Sequence, residues 1–100
     1  MRRRLQVSKQ AAEQIEEAAR WWRAHRAARE LFAAEIARGF DLIATQPGIG
    51  TKVVAPDDMR GLRRLHLPRI RYYIYYAPAG TDTIKVVAVW HSSRGTPPDL

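Results

Sequence analysis

The residues able to do chemistry in this sequence are basic and aromatic, and they gather in its second half. Arg63, Arg64 and His66 are followed by Arg71 and the run Tyr72-Tyr73-Ile74-Tyr75-Tyr76, then by Lys85, His91 and Arg94. Guanidinium forks bind phosphate or carboxylate in two-pronged fashion. Two imidazoles can divide the acid and base roles of a metal-free phosphodiester cleavage. His66 and His91 could do so, with Arg64, Arg71 and Arg94 on the phosphate, if both rings reach one phosphate. The plainer reading is a packed histidine at a strand end and a solubilising arginine surface.

Other chemistries fail on residue type or spacing. The absence of cysteine removes thiolate catalysis, disulfides and Cys-based zinc sites. Ser8, Ser92 and Ser93 sit in no nucleophile-elbow context. Gly48-Ile49-Gly50 lacks the further glycines or lysine of a nucleotide loop. His25, His66 and His91 lack metal-ligand spacing, so no metal and no cofactor is expected. Carboxylates are too scarce near these residues for a glycosidase-type pair.

The charge places a partner of opposite sign. The chain has 100 residues and a net charge of +7. Residues 1–30 and 60–100 are strongly basic, whereas residues 31–59 are slightly acidic. The length fits one domain spanning 1–100. The N-terminus runs into polar sequence rather than an apolar stretch, so neither a signal peptide nor a membrane span is expected and the cytoplasm is the default compartment.

Several elements must position the basic groups. A short strand over Arg3–Val7 ends at Ser8, a good helix N-cap. Two apolar stripes at helical spacing follow, Ala12/Ile15/Ala19/Trp22 and Phe32/Ile36/Phe40/Ile43. No Gly or Pro separates them. A single helix of that length would leave half its stripe uncovered in so small a domain, so a helical hairpin is expected. Trp22 continues the stripe and belongs to the core. Trp21 points elsewhere and suits the hairpin junction or a partner. Pro47-Gly48-Ile49-Gly50 ends the helical region. Strands are expected over Gly61–Leu67, Ile70–Ala77 and Thr83–His91, separated by turns at Pro68-Arg69 and around Gly80.

Strand parity then sorts the faces. An even-length turn after Leu67 puts Leu65, Leu67, Ile70, Tyr72 and Ile74 against the helices. Arg64, His66, Arg71, Tyr73 and Tyr75 go to the other face, with Leu62. Ile84, Val86, Ala88 and Trp90 are expected on the helix side of the last strand, and Lys85, Val87, Val89 and His91 opposite. The uncovered face would be a trough with an apolar floor of Val87, Val89 and Tyr75 and a basic, aromatic rim, a form that marks a binding site. The alternative is that the tail or a second subunit fills it.

The order of these features resembles the RelE/ParE toxins of bacterial type II toxin–antitoxin systems. The matching segments are Pro47-Gly48-Ile49-Gly50, Arg60-Gly61-Leu62-Arg63-Arg64-Leu65, the Arg71-to-Tyr76 strand and Val89-Trp90-His91-Ser92-Ser93-Arg94. The last is similar to the ending of the ParE branch. The resemblance implies an α+β fold: an N-terminal strand, an α-helical hairpin, then a three-stranded antiparallel meander completing a sheet covered on one face. It also implies a small toxin neutralised by an antitoxin in a hetero-oligomer. ParE-like members poison DNA gyrase without a known catalytic centre, whereas RelE-like members cleave messenger RNA on the ribosome. RelE-like toxins use an arginine in a Tyr-Arg-(Leu/Ile)-x-Tyr strand, and Tyr73 stands in its place here. The expectation is therefore a ParE-like gyrase inhibitor. The alternatives are a ribosome-dependent endoribonuclease using His66, His91, Arg64, Arg71 and Arg94, or a non-toxic member that binds only an antitoxin or nucleic acid. The antitoxin segment is expected to be acidic and amphipathic. Its contact set would be Arg63, Arg64, His66, Arg71, Tyr73, Tyr75, Lys85, Val87, Val89, His91 and Arg94.

Overall fold

A computed structural model describes residues 2–55 and 57–100. In chain order the elements are β1 (Arg4–Val7), α1 (Lys9–His25), α2 (Leu31–Thr45), a 3-10 turn (Pro47–Ile49), β2 (Thr51–Lys52), β3 (Arg63–Leu67), β4 (Tyr72–Pro78) and β5 (Thr83–His91). The strands form one five-stranded sheet in the order β1-β5-β4-β3-β2. β1 runs parallel to β5 and the other pairs are antiparallel. Beyond the expected strands, β2 adds a two-residue edge beside β3. The two helices pack on one face.

Local chemistry accounts for the boundaries. Ser8 caps α1, its hydroxyl accepting the Ala11 N–H at 3.0 Å. The hairpin forms although no Gly or Pro breaks the helix. Arg26 turns extended (φ −123°, ψ 144°), and the Trp22 indole N–H donates to the Ala28 carbonyl at 2.8 Å, tying the connection back onto α1. The apolar stripes then meet the sheet. Phe32, Ile43, Leu67, Ile70, Ile74 and Val86 are each no more than 1% exposed. Burying one such side chain stabilises the fold by about 1.5–3 kcal/mol. Gly39 lets α2 lie this close, since a Cβ there would stand 2.7 Å from Ile74 Cδ1.

The parity expected for β3 and β4 holds. Leu65, Leu67, Ile70, Tyr72 and Ile74 pack with the helices, while Leu62, Tyr73 and Tyr75 belong to a separate cluster on the far face. The turn after Leu67 contains four residues, an even number, because Leu67 pairs with Tyr72. In β5 the expected sorting holds through Val87 and fails beyond it. Tyr75 pairs with Ala88 but Tyr76 with Val86, so Val87 is an extra residue in a β-bulge. Val89 therefore packs under the helices, and Ala88 and Trp90 face away from them. His91, opposite Tyr72, follows Val89 to the helix side.

Past the end of β1, α1 takes over the edge of β5. Ser8 donates its hydroxyl to the Val87 carbonyl (3.2 Å), and Gln14 Oε1 accepts the Val89 N–H (2.7 Å). These bonds satisfy backbone groups that the bulge and the short β1 leave unpaired.

Candidate functional site

The bulge divides the expected site residues between two places. Arg64, His66, Tyr73, Tyr75, Lys85 and Val87 lie on the open face. Arg71, Val89 and His91 lie on the helix side, and Arg94 sits at the boundary. Arg63 also faces the helix side, where its guanidinium donates to the Gly50 carbonyl (2.7 Å) and the Gly48 carbonyl (3.3 Å). Arg63 thus holds the Pro47–Gly50 turn rather than a trough. Arg71 departs from its expected face because the four-residue turn takes it out of the strand. Its backbone adopts φ 60°, unusual for a side-chain-bearing residue.

The Pro-x-x-Gly turn has a further anchor on β4. Tyr76 donates its hydroxyl to the Pro47 carbonyl and accepts the Gly50 N–H, both at 2.8 Å. A Cβ at Gly50 would lie 2.6 Å from that hydroxyl oxygen. Glycine is required there by space, not by backbone angle.

The open face is not the exposed apolar trough that parity suggested. Its floor residues Tyr75, Val87 and Ala88 are 2%, 8% and 0% exposed. Val53, Ala55 and Leu62 cover one side, and Tyr73 and Trp90 another. The tail contributes in part: the Trp90 indole donates to the Thr96 carbonyl, Gln10 Nε2 donates to the Asp99 carbonyl, and Pro98 is buried. Above the floor lies a layer of stacked rings and guanidinium. Arg64 sits 4.2 Å over the Tyr73 ring and donates to the Tyr75 hydroxyl at 3.3 Å. The His66 ring packs 4.9 Å from Tyr73.

The deeper concavity lies on the helix side, at the C-terminal ends of α1 and β5. This cleft encloses about 910 Å³ among Trp21, Arg26, Arg71, Tyr72, His91 and Arg94. Arg71 is fixed there by its backbone: its N–H donates to the Leu67 carbonyl, and its own carbonyl accepts the Ser92 N–H (2.8 Å) and hydroxyl (3.0 Å). Trp21 is half-exposed and stacks on His25, with Arg26 over its other neighbour Trp22 as well. Sequence reasoning placed Trp22 correctly in the core but did not connect either tryptophan with His91.

His91 stands edge-on to Tyr72, ring centres 5.0 Å apart. Its Nδ1 accepts the Ser93 N–H at 3.2 Å and lies 2.5 Å from the Ser93 hydroxyl. A ring nitrogen that accepts a backbone N–H carries no proton, so the neutral ring holds its proton on Nε2. Burial, and then the Arg94, Arg71 and Arg26 guanidinium groups, hold His91 below the usual imidazole range. Burial pushes the Tyr72 phenol up, so it stays protonated at neutral pH. His66 and His91, offered as one acid–base pair, sit on opposite faces of the sheet, because Tyr73 and Tyr72, their respective strand neighbours, point opposite ways. Among the described residues no cluster of three or more His, Asp or Glu could hold a metal, and no helix is long and apolar enough to cross a membrane.

The family model described as "ParE toxin of type II toxin-antitoxin system, parDE" matches residues 5–95, nearly the whole chain. The chain belongs to the ParE toxin family. A solved structure titled "Chromosomal ParDE TA system from P. aeruginosa" has the same fold, with TM-score 0.67 and 15% identity over 89% of this chain and 95% of that one. No curated protein sequence matches significantly.

Proposed function

We propose that this ParE-family chain is a cytoplasmic toxin that inhibits DNA gyrase and is silenced by a cognate antitoxin of the ParD kind. The observation that carries the choice of target is the position of the two histidines. With the sheet between them, His66 and His91 cannot serve one phosphate as acid and base, which weighs against the messenger-RNA nuclease reading. Tyr73, in the place of a nuclease arginine, weighs the same way. The antitoxin segment docks as an acidic amphipathic peptide on the open face. Tyr73, His66 and Trp90 offer it ring surface, and Arg64 and Lys85 set its register. Apolar anchors supply most of the affinity and the charges mainly the association rate.

The decisive experiment induces the isolated chain in cells. Double-strand breaks and a DNA-damage response are expected. Intact DNA with an immediate block of translation would overturn the gyrase target. For the docking surface, complex formation should slow as salt is raised toward ~1 M, and Tyr73→Ala should weaken it more than Lys85→Ala.

A further inference from the structure

The three guanidinium groups around His91 have no acidic partner among the described residues. The ion pairs among the described residues are Arg2–Asp41, Arg38–Glu35 and Arg69–Glu35, and none involves Arg26, Arg71 or Arg94. Arg26 lies over the Trp21 and Trp22 rings and Arg94 over Trp90 at 4.1 Å, contacts that leave the charge uncancelled. Glu17 is the one carboxylate on the described lining of the cleft. All three are exposed, so water screens their mutual repulsion, and an anion entering the cleft would meet three like charges at once.

We propose that the cleft between α1, the β3–β4 turn and the end of β5 is a binding site for a nucleic-acid strand, with Arg26, Arg71 and Arg94 on its phosphates. Three observations favour a nucleotide over an acidic peptide. The volume suits one or two nucleotide units, being at the upper end of the range for small-ligand sites. The cations are interleaved with aromatic rings (Trp21 and Tyr72), the combination that grips single strands through phosphate and base together. Arg71 has its backbone fixed by bonds to Leu67 and Ser92, which places its exposed side chain on the lining of the cleft. The neutral His91, with its proton on Nε2, adds a donor without adding charge. The site holds whichever enzyme the toxin inhibits, so the gyrase reading and this one fail separately.

The test uses the full purified chain and a fluorescent oligothymidylate of about ten nucleotides. Binding should fall with salt with a logarithmic slope near −2, as about three phosphate contacts on a single strand require. Arg71→Gln and Arg94→Gln should each weaken binding about tenfold at low salt. Lys9→Gln, at the far end of α1, should leave it unchanged, and thermal melting should match the parent for all three. Adding the oligonucleotide should raise the titration midpoint of His91, followed by NMR, because phosphate offsets the three cations. Four results would overturn the site: no binding, binding indifferent to Arg71→Gln and Arg94→Gln, a His91 midpoint that does not move, or equal competition by an oligoglutamate of the same charge.

Discussion

The two faces of this sheet treat arginine in opposite ways. On the open face Arg64 is absorbed into the protein's own surface, stacked on Tyr73 and bonded to Tyr75. At the C-terminal end of the covered face, Arg71 and Arg94 are exposed beside a cleft and form no ion pair, and Arg94 is stacked on Trp90. Elsewhere on that face polar groups are spent on the backbone: Tyr76 on the Pro47–Gly50 turn, Arg63 on the same turn, Gln14 on Val89. Arg64 is half-buried and bonded to the protein's own phenol, whereas the cleft arginines are exposed and bonded to no acid, so their charge remains available to a ligand. Density of basic residues alone could not have distinguished the two.

The largest difference between the faces should appear on truncation. Ile74→Ala, beneath α2 with no exposure, is expected to cost about 2–5 kcal/mol in urea unfolding. Tyr73→Ala, on the half-exposed layer opposite, should cost at most about 1–2 kcal/mol. Equal costs would mean that the second cluster is a full core, and the open face no docking surface.

A finer comparison uses two neighbours on β4 that are equally buried, at 2% each. Tyr76→Phe leaves the Gly50 N–H and the Pro47 carbonyl without their partner, and should cost about 1–3 kcal/mol. Tyr75→Phe gives up only a 3.3 Å contact to Arg64, and a loss under about 1 kcal/mol is expected. If both changes were equally mild, the Pro-x-x-Gly turn would not depend on Tyr76.

Glu35 gives a third, smaller effect. It is 3% exposed and bonded to Arg38 by two contacts at 3.1 Å, with Arg69 at 3.7 Å. The Arg38 hydrogen bonds, outweighing burial, and then the charges of Arg38 and Arg69 hold its carboxyl below the usual range. Its folded pKa thus lies below the unfolded one. The stabilisation is present above the unfolded value, about 4.3, and is lost as pH falls through the folded value. Glu35→Gln should cost about 1–2 kcal/mol at neutral pH and flatten the acid limb of a stability–pH curve.

What could be read from the residues, and what could not, follows the same division of faces. The strand sorting from Leu65 to Tyr75 was legible because apolar and polar residues alternate there and the turn is even. Val86-Val87-Ala88-Val89 has no alternation, so nothing in its pattern marks the extra residue of the bulge. One inserted residue moved His91 across the sheet and separated it from His66. The hairpin break was legible only as a need for burial, since its position depends on the Trp22–Ala28 bond. β2 is too short to show a pattern. The cleft required Arg26, Arg71 and Arg94, drawn from three separate segments, to be brought together by the fold.

The narrowest test concerns His91 itself. Burial and three guanidinium groups place its folded pKa below the unfolded imidazole value of about 6.5. The unfolded chain therefore takes up a proton first as pH falls, and stability declines from about pH 6.5 downward until the folded ring also protonates. Glu17 also lines the cleft, where its charge acts on Tyr72. Arg94→Gln removes the charge with the largest effect on the ring and should move the His91 midpoint upward in an NMR titration, shrinking the decline. Arg64→Gln, across the sheet, should leave that midpoint where it was. If both substitutions moved it equally, the charge felt at His91 would be a diffuse property of a basic protein, and the contrast between an absorbed arginine and a free one would lose its basis.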